Sequence, residues 1–371
     1  MVIVGGGALG TMHAWMARRR GSDVVHLERE AAARGASVRN FGLIWVSGRR
    51  AGAELALALR ARELWERIAA DAPGIGFRAA GSVTVATGPA ELQVLREAAD
   101  LPDAKQRDFE LLDPGGVRAA NPALRGEFLG GLLCRADAIV EPRLALPALR
   151  ASLAGPGYAW LPRLEAVEVA AHGVRDHQGT WHRGDLVVLC TGANFTGVAG
   201  RHLAAAGALE SAGGGLRRVR LQMLQTRPFP ARLTTSVADG DSLRYYPAYD
   251  VPARALLGPQ SPAAAAARAQ LLLVQRADGG LTIGDTHSYD EPFAFDVDED
   301  AYDHLRARAA ALLGAPLPPT QRRWAGVYSE VVGSDALYHR SQVAPGVVLV
   351  TGPGGRGMTC SPAIAEETFP P

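Results

Sequence analysis

Three glycines spaced Gly5-x-Gly7-x-x-Gly10 follow a short apolar run, Val2-Ile3-Val4, and an acid, Glu28, closes the next apolar run. Each position has a physical task in holding a dinucleotide. Gly5 permits a tight turn, Gly7 lets the backbone approach a pyrophosphate, and Gly10 lets a helix pack closely on the strand. Free N–H groups at that helix start attract phosphate. Glu28 would accept from adenosine ribose hydroxyls, and an acid there disfavours a 2′-phosphate. The glycine pattern alone also fits an incidental turn; strand, helix and acid in register set this one apart.

These residues need a β-α-β unit. The pattern predicts a strand to Val4, a helix through Met12, Trp15 and Ala17 ended by Gly21, and a strand from Asp23 to Leu27. An amphipathic helix is expected over Glu54–Ala70, with Leu57, Ala61, Leu64, Trp65 and Ile68 on one side. Further helices are expected at Glu91–Ala99 and Tyr302–Leu313. Strands are expected at Gly81–Ala86, Leu186–Cys190, Val219–Thr226, Leu243–Tyr246, Leu271–Gln275, Leu281–Asp285, Trp324–Tyr328 and 347–350. The last runs into Gly352-Pro-Gly-Gly-Arg-Gly-Met-Thr359, and Ser361-Pro362-Ala363 reads as a helix start. The alanine-rich Pro262–Ala269 reads as a surface helix or loop. Nucleotide-type signals at the start, middle and end suggest one discontinuous nucleotide domain (1–43, 140–205, 330–371) with a second domain inserted twice (44–139, 206–329).

The 371 residues carry a formal net charge of +1, which argues against a dedicated nucleic-acid or anionic-membrane binder. No apolar run is long enough to span a membrane. Val2–Val4 enters glycines directly, without the charged start and long apolar run of a signal peptide, so a cytoplasmic location is expected. Cys134, Cys190 and Cys360 lie far apart and have no metal-ligand spacing. His172, His177 and His182, five apart, fit no helical face and read as surface residues; no metal site is expected. Lys105 is the only lysine and sits in a polar stretch, which argues against pyridoxal-phosphate and P-loop chemistry. No Ser-His-Asp or Cys-His arrangement stands out. Nothing in the sequence specifies an oligomeric state.

The glycine fingerprint by itself leaves NAD and FAD open. The Arg34-Gly-Ala-Ser37 segment, the mid-chain Cys190-Thr-Gly-Ala193 and the closing Gly-rich loop favour FAD, because a helix start at that loop would place a positive dipole beside the flavin C2 carbonyl. Together these segments resemble the D-amino-acid oxidase superfamily of FAD enzymes, which includes glycine oxidase and sarcosine oxidase. The likeness covers nearly the whole chain. Three stretches, Gly35-Ala-Ser-Val-Arg-Asn-Phe-Gly42, Asp278–His287 and Arg323-Trp-Ala-Gly-Val-Tyr328, look like a subgroup associated with aminophosphonate breakdown, the oxidation of 2-aminoethylphosphonate or its N-methyl form.

The resemblance implies an α/β fold: a Rossmann-type FAD domain with an inserted mixed β-sheet substrate domain and the flavin between them. It places Gly5, Gly7, Ala8, Leu9 and Gly10 at the pyrophosphate and Glu28 and Arg29 at the ribose. It places Arg34, Ala36 and Ser37 along the pyrophosphate and ribityl region, Val167 beside adenine, and Thr191 and Gly192 in the mid-chain segment. Gly355, Arg356, Gly357, Met358 and Thr359 would line the flavin pyrimidine. Where relatives carry a carboxylate-binding arginine after Trp-x-Gly-x, this chain has Tyr328, and a phenol cannot replace a bidentate guanidinium. A plain α-amino acid is therefore disfavoured as substrate. No cysteine lies between Cys190 and Cys360, so FAD is expected to be non-covalent. Thr282 and Thr359 stand where sarcosine oxidases carry lysines, which leaves the electron acceptor open.

The implied reaction is oxidation of a C–N bond in a small-molecule amine: hydride leaves the α-carbon for the flavin, and the imine hydrolyses to aldehyde and amine. Candidate catalytic residues are His287, Tyr328, Arg39 and Asn40. A phosphonate would need arginines or clustered donors, and Arg39, Arg49, Arg50, Arg244 and Arg323 are the candidates, each also readable as a solvated charge. His287 would bind the anion or relay protons; packing against Asp285 is the equal alternative. Tyr245, Tyr246 and Tyr289 read as core or strand residues. Two rivals stand beside this reading: an FAD dehydrogenase of a hydroxy acid or other amine feeding a quinone or carrier, and a non-catalytic FAD-binding subunit of a complex.

Overall fold

The computed structural model describes residues 1–211 and 213–369. Position 212 of the expected inserted domain and positions 370–371 of the expected nucleotide domain lie outside the described residues.

Two large sheets organise the chain. The first has the spatial order His339–Ala344, Val347–Thr351, Val187–Leu189, Val2–Val4, Val24–Glu28, Tyr158–Pro162. The last five strands run parallel, and the first is an antiparallel edge. Parallel strands at the centre of such a sheet are covered on both faces, and Val2–Val4 is buried throughout. The helix Ala8–Arg19 lies on one face, with Met12 and Trp15 in the same core as Leu64, Trp65 and Ile364. Arg18 and Arg19 in its last turn complement the dipole, and Gly21, at φ +78°, turns the chain out of the helix. The C-terminal ends of Val2–Val4 and Val24–Glu28 therefore carry the glycine turn and Glu28 to the same edge, where ligands bind in open α/β sheets.

The second sheet has eight strands in the order Thr320–Val332, Gly215–Pro228, Gly280–Gly284, Leu272–Gln275, Ser236–Ala238, Ser82–Ala86, Gly130–Cys134, Phe109–Leu112. It is mixed: Ser236–Ala238 pairs parallel with Ser82–Ala86 and the other neighbours are antiparallel. Strand alternation divides its side chains between two cores. Leu224, Leu281 and Ile283 meet Tyr302, Leu305 and Leu312 of the helix Glu299–Leu313. Leu221, Met223 and Tyr328 meet Phe41, Trp45 and Tyr246 on the opposite face.

Two expectations need correction. Leu243–Tyr246 is not a strand; Ser242–Tyr245 forms a helical turn. Asp239 starts it, its carboxylate accepting the Asp241 N–H at 3.1 Å and its carbonyl the Ser242 N–H at 3.1 Å, and Pro247 ends it. The last helix begins at Gly357 rather than Ser361 and runs through Pro362 to Glu366. A proline there strands the carbonyl four residues back. Trp65 Nε1 donates to that Met358 oxygen at 3.2 Å and to Thr359 O at 3.0 Å. The alanine-rich segment contains the short helix Pro262–Ala267.

Candidate active site

A cavity of about 800 Å³ runs between the two sheets. One end is walled by Gly5, Gly7, Ala8, Leu9, Glu28 and Arg29. Its middle is walled by Arg34–Ser37 and Thr191–Asn194, and its far end by Trp45, Tyr245, Tyr246, Asp285, His287, Tyr328 and Gly354–Met358.

The glycine turn is held from several sides. Gly5 sits at φ +108°, and a Cβ there would lie 2.2 Å from Cys190 O. His26 Nε2 donates to Gly5 O at 3.0 Å. A Cβ on Gly7 would come within 3.1 Å of Ser37 Oγ, which accepts the Ala8 N–H at 2.9 Å. Glu28 is buried, and its two oxygens accept the N–H groups of Gly6 at 2.6 Å and Glu30 at 2.9 Å.

These features fit FAD. The turn offers a backbone cradle that any side chain on Gly7 would narrow. Thr191 Oγ1 is buried without a partner in the same wall. A Cβ on Gly355 would meet only Tyr245 Oη, at 3.7 Å, so backbone is open to a ligand at the far end as well.

The far end is aromatic and polar. His287 is 3% exposed and packed between the rings of Tyr245, 4.4 Å away, and Tyr289, 6.4 Å away. Its Nδ1 donates to Arg268 O at 3.1 Å, and its Nε2 lies 4.0 Å from Asp285 Oδ2. Burial pushes the Asp285 carboxyl up, against the pull of His287 and of Gln270, whose Nε2 donates to Oδ1 at 3.0 Å. Tyr328 Oη stands 3.4 Å from Tyr245 Oη, and burial pushes both phenols up, so both are neutral hydroxyls. In the wall itself, the buried Glu54 carboxylate lies 3.6 Å from the guanidinium groups of both Arg49 and Arg356.

The sequence-predicted residues divide into those in the wall and those behind it. Gly5, Gly7, Ala8, Leu9, Glu28, Arg29, Arg34, Ala36, Ser37, Thr191, Gly192 and Gly355–Met358 line the cavity, as do Arg39, Asn40, His287 and Tyr328. Three positions assigned to the cofactor do not. Gly10 is packed on its own turn, where a Cβ would lie 1.8 Å from Gly5 O. Val167 is half-exposed beside the wall residue Ala166, and its carbonyl accepts from Arg201 at 3.1 Å. Thr359 is buried behind the wall, its Oγ1 accepting the Trp45 N–H at 2.9 Å. Asn40 is held by backbone on both sides, its Nδ2 donating to Ala36 O and its Oδ1 accepting from Gly42.

Of the anion-binding candidates, Arg39 and Arg49 line the cavity. Arg50, Arg244 and Arg323 do not, and they pair with Asp335, Asp241 and Glu299. Tyr245 and Tyr246, read from sequence as packing residues, are in the wall. Thr282 is buried within the sheet, opposite Gln225 and Val274, and Cys360 is buried in the core; neither lines the cavity.

Residues 1–369 match the DAO family, described as FAD dependent oxidoreductase. The chain belongs to that family. The fold is shared with solved structures of glycine oxidase and L-proline dehydrogenase. Glycine oxidase from Geobacillus kaustophilus superposes with a TM-score of 0.75 at 20% identity, over 98% of this chain and 92% of that one. L-proline dehydrogenase from P. horikoshii gives 0.75 at 20%, over 98% and 90%. Among curated proteins, a subunit of the opine oxidase of Rhizobium meliloti is 29% identical over 186 residues, 47% of this chain. That alignment spans about half the length of the relative, 50%.

Sequence reasoning missed several residues of this DAO-family site. Trp45, Glu54, Gln270 and Asp285 line it, yet no spacing pattern connects them. Only Asp285 carried a local signal, two residues from His287. No helix among the described residues is long and apolar enough to cross a membrane.

Proposed function

We propose that this FAD-dependent oxidoreductase oxidises the C–N bond of a small amine, and that the amine is an aminophosphonate such as 2-aminoethylphosphonate or its N-methyl form. One observation carries the reading: a single cavity joins the glycine turn to an end walled by Tyr245, Tyr328, His287 and Asp285. FAD, when bound, accepts the hydride. This chain's residues orient the carbon, exclude water and hold charge. Gly5, Gly7, Ala8 and Ser37 would cradle the pyrophosphate; Glu28 and Arg29 would face the ribose; Gly355, Arg356, Gly357 and Met358 would face the flavin pyrimidine. Cys360, whose thiol burial pushes up to about 11, is out of reach of the cavity, which supports non-covalent binding.

The aminophosphonate assignment is supported by the residue pattern of 35–42, 278–287 and 323–328 and by Tyr328 in place of a carboxylate-binding arginine. Arg39, in the wall and without a carboxylate partner among the described residues, is a cation available to an anionic end, whereas Arg218 is already paired with Glu291. The division of the chain at about positions 43, 140, 205 and 330 follows from the same reading, with the nucleotide segments supplying the parallel sheet.

A second reading has one specific support. The relative from Rhizobium meliloti is named as one subunit of an opine oxidase, and this chain would by analogy work within a complex, passing electrons to a carrier. The experiment is the visible flavin spectrum under nitrogen before and after adding 2-aminoethylphosphonate and its N-methyl derivative. Bleaching by either supports the proposal, and readmitted air then separates oxygen from another acceptor. A flavin that stays oxidised with both, but bleaches with an opine or a hydroxy acid, overturns the aminophosphonate assignment.

A further inference from the structure

The far end of the cavity holds hydrogen-bond acceptors that lack a donor. His287 Nδ1 faces the carbonyl of Arg268, which can only accept, so Nδ1 carries a ring proton, and in that tautomer of the imidazole Nε2 is an acceptor. Nε2 lies 4.0 Å from Asp285 Oδ2, too far for a direct hydrogen bond. The other carboxylate oxygen is already occupied by Gln270 Nε2 at 3.0 Å. That bond turns the Gln270 amide so that Oε1 points elsewhere, and Oε1 is buried with no partner. All three residues are at least nine-tenths buried and line the cavity. Buried acceptors left unpaired are costly, so such a cluster favours a ligand that donates.

The charge balance points the same way. Glu330, also in the wall, is neutralised by Arg217 at 2.7 Å. Among the described residues no arginine or lysine pairs with Asp285, and the one basic group within 4.0 Å of it is His287. The faces packed against Asp285 are Tyr245, Tyr246 and Tyr328, phenols that burial keeps neutral. The His287 ring is fixed by its stacking on Tyr245, so Nε2 is pre-aimed. Two acceptors each about 2.8–3.0 Å from one nitrogen stand about 4–5 Å apart, close to the spacing observed here.

We propose that Asp285, His287 and Gln270 form the receptor for the substrate's ammonium group, with Asp285 Oδ2 and His287 Nε2 as its two principal acceptors. The proposal rests on the amine reading above and adds which residues select an amine over an alcohol. An alcohol offers one O–H and no charge; an ammonium offers several N–H donors and the charge that Asp285 lacks.

The test is calorimetric binding of 2-aminoethylphosphonate and 2-hydroxyethylphosphonate to the FAD-loaded protein, its flavin held reduced by dithionite under nitrogen so that nothing turns over. The wild type is expected to prefer the amine by about tenfold or more, the scale of one charge-assisted hydrogen bond. Asp285→Asn should bind both alike. His287→Phe, which keeps the aromatic stack and removes Nε2, should lose part of the preference and decides the matter if the first variant does not fold. Equal affinities in the wild type, or a full preference surviving in either variant, overturn the proposal. If no amine bleaches the oxidised flavin yet the preference and its loss are seen, the receptor stands and amine oxidation falls. If amines bleach Asp285→Asn with unchanged KM, the receptor falls and amine oxidation stands.

Discussion

Glu28 Oε2 accepts the backbone N–H of Gly6 at 2.6 Å, which ties the acid at the end of the second parallel strand to the turn after the first. The carboxylate therefore shapes the glycine turn as well as facing the cavity. A Cβ on Gly6 would lie 3.1 Å from Oε2 and 2.6 Å from the Trp160 ring, so the contact has no room for a side chain. Glu28→Gln keeps one acceptor oxygen but sets its amide NH2 against the other backbone N–H, and should lower FAD affinity by about tenfold. Glu28→Lys should place a cation against the N–H of Gly6 and lower FAD affinity by about a hundredfold, the loss of two charge-assisted hydrogen bonds. FAD retained after dialysis reports both; full retention in the lysine variant would exclude Glu28 from the cofactor site.

Asp137 is a buried carboxylate that touches no part of the cavity, yet it positions one wall. It accepts from Val46 N at 2.5 Å, Ser47 N at 3.0 Å, Ser47 Oγ at 2.7 Å and Ser82 Oγ at 2.6 Å. Arg107 holds the same stretch from the other side, donating to Val46 O and Ser47 O at 3.0 Å. This clamp bridges the second sheet to the segment carrying Trp45 and Arg49. Asp137→Ala strands four donors and should cost about 3 kcal/mol or more in urea unfolding. Asp137→Asn retains an acceptor and should cost less. Equal stability of the alanine variant and the wild type would contradict the clamp.

Four of the five parallel strands and the glycine turn were legible because their patterns are local, whereas Tyr158–Pro162, half-exposed at the sheet edge, was not expected. Gly5, Gly7, Gly10 and Glu28 lie within one β-α-β unit, where spacing and periodicity report backbone geometry directly. The substrate end was legible in fragments. Tyr328 and His287 stood out by position, but Tyr245 read as part of a strand because three of the four residues of Leu243-Arg-Tyr-Tyr246 are aliphatic or aromatic. The Asp239 turn and Pro247 decide that segment, and they matter only once the chain is folded. Glu54 was invisible for a different reason: in sequence it is one more acid in the first turn of an amphipathic helix. Its burial comes from Arg356, some three hundred residues away, and nothing in its local pattern reports that contact.

Glu54 balances two guanidinium groups at the far end of the cavity, Arg49 and Arg356, each at 3.6 Å. Arg49 also donates to Trp45 O at 2.8 Å, and Arg356 donates to Leu337 O at 3.1 Å, so neither can swing to solvent without losing a bond. Removing the carboxylate leaves buried positive charge without a counter-ion, which costs about 3–5 kcal/mol when a buried pair is broken. Glu54→Ala should therefore unfold at markedly lower urea. Glu54→Gln should lie between it and the wild type. Wild-type stability in both variants would show that the two arginines are neutralised elsewhere.

Two histidines inside the nucleotide sheet make stability depend on pH. Burial pushes His26 down to about 3 and His13 down to about 4, and both are neutral and hydrogen-bonded in the fold. An unfolded histidine titrates near ~6.5. Below that value the unfolded chain binds protons that the folded chain refuses, so stability is full above pH ~6.5 and falls as the pH drops towards 4 and then 3. The loss is on the order of 3–5 kcal/mol for each histidine once both have charged. Asp239 acts in the opposite direction. Burial pushes it up to about 6 despite Arg308, so the folded state holds its proton more tightly, and that contribution is lost as pH rises from about 4 to 6. Burial pushes Asp137 and Asp285 up as well, but it also pushes His304 and His339 down. Hydrogen bonds from Arg60 hold Glu366 low and, against burial, one from His182 holds Asp176 low. The groups that lose stability in acid outnumber those that gain it, so the thermal midpoint should rise between pH 4 and 7. His26→Gln, which cannot take a proton, should show a shallower acid limb, although it stays less stable near neutrality because the bonds to Gly5 O and Tyr158 Oη are disturbed. Thermal melts from pH 4 to 8 would show it; an acid limb of unchanged slope would mean that His26 is already protonated in the fold.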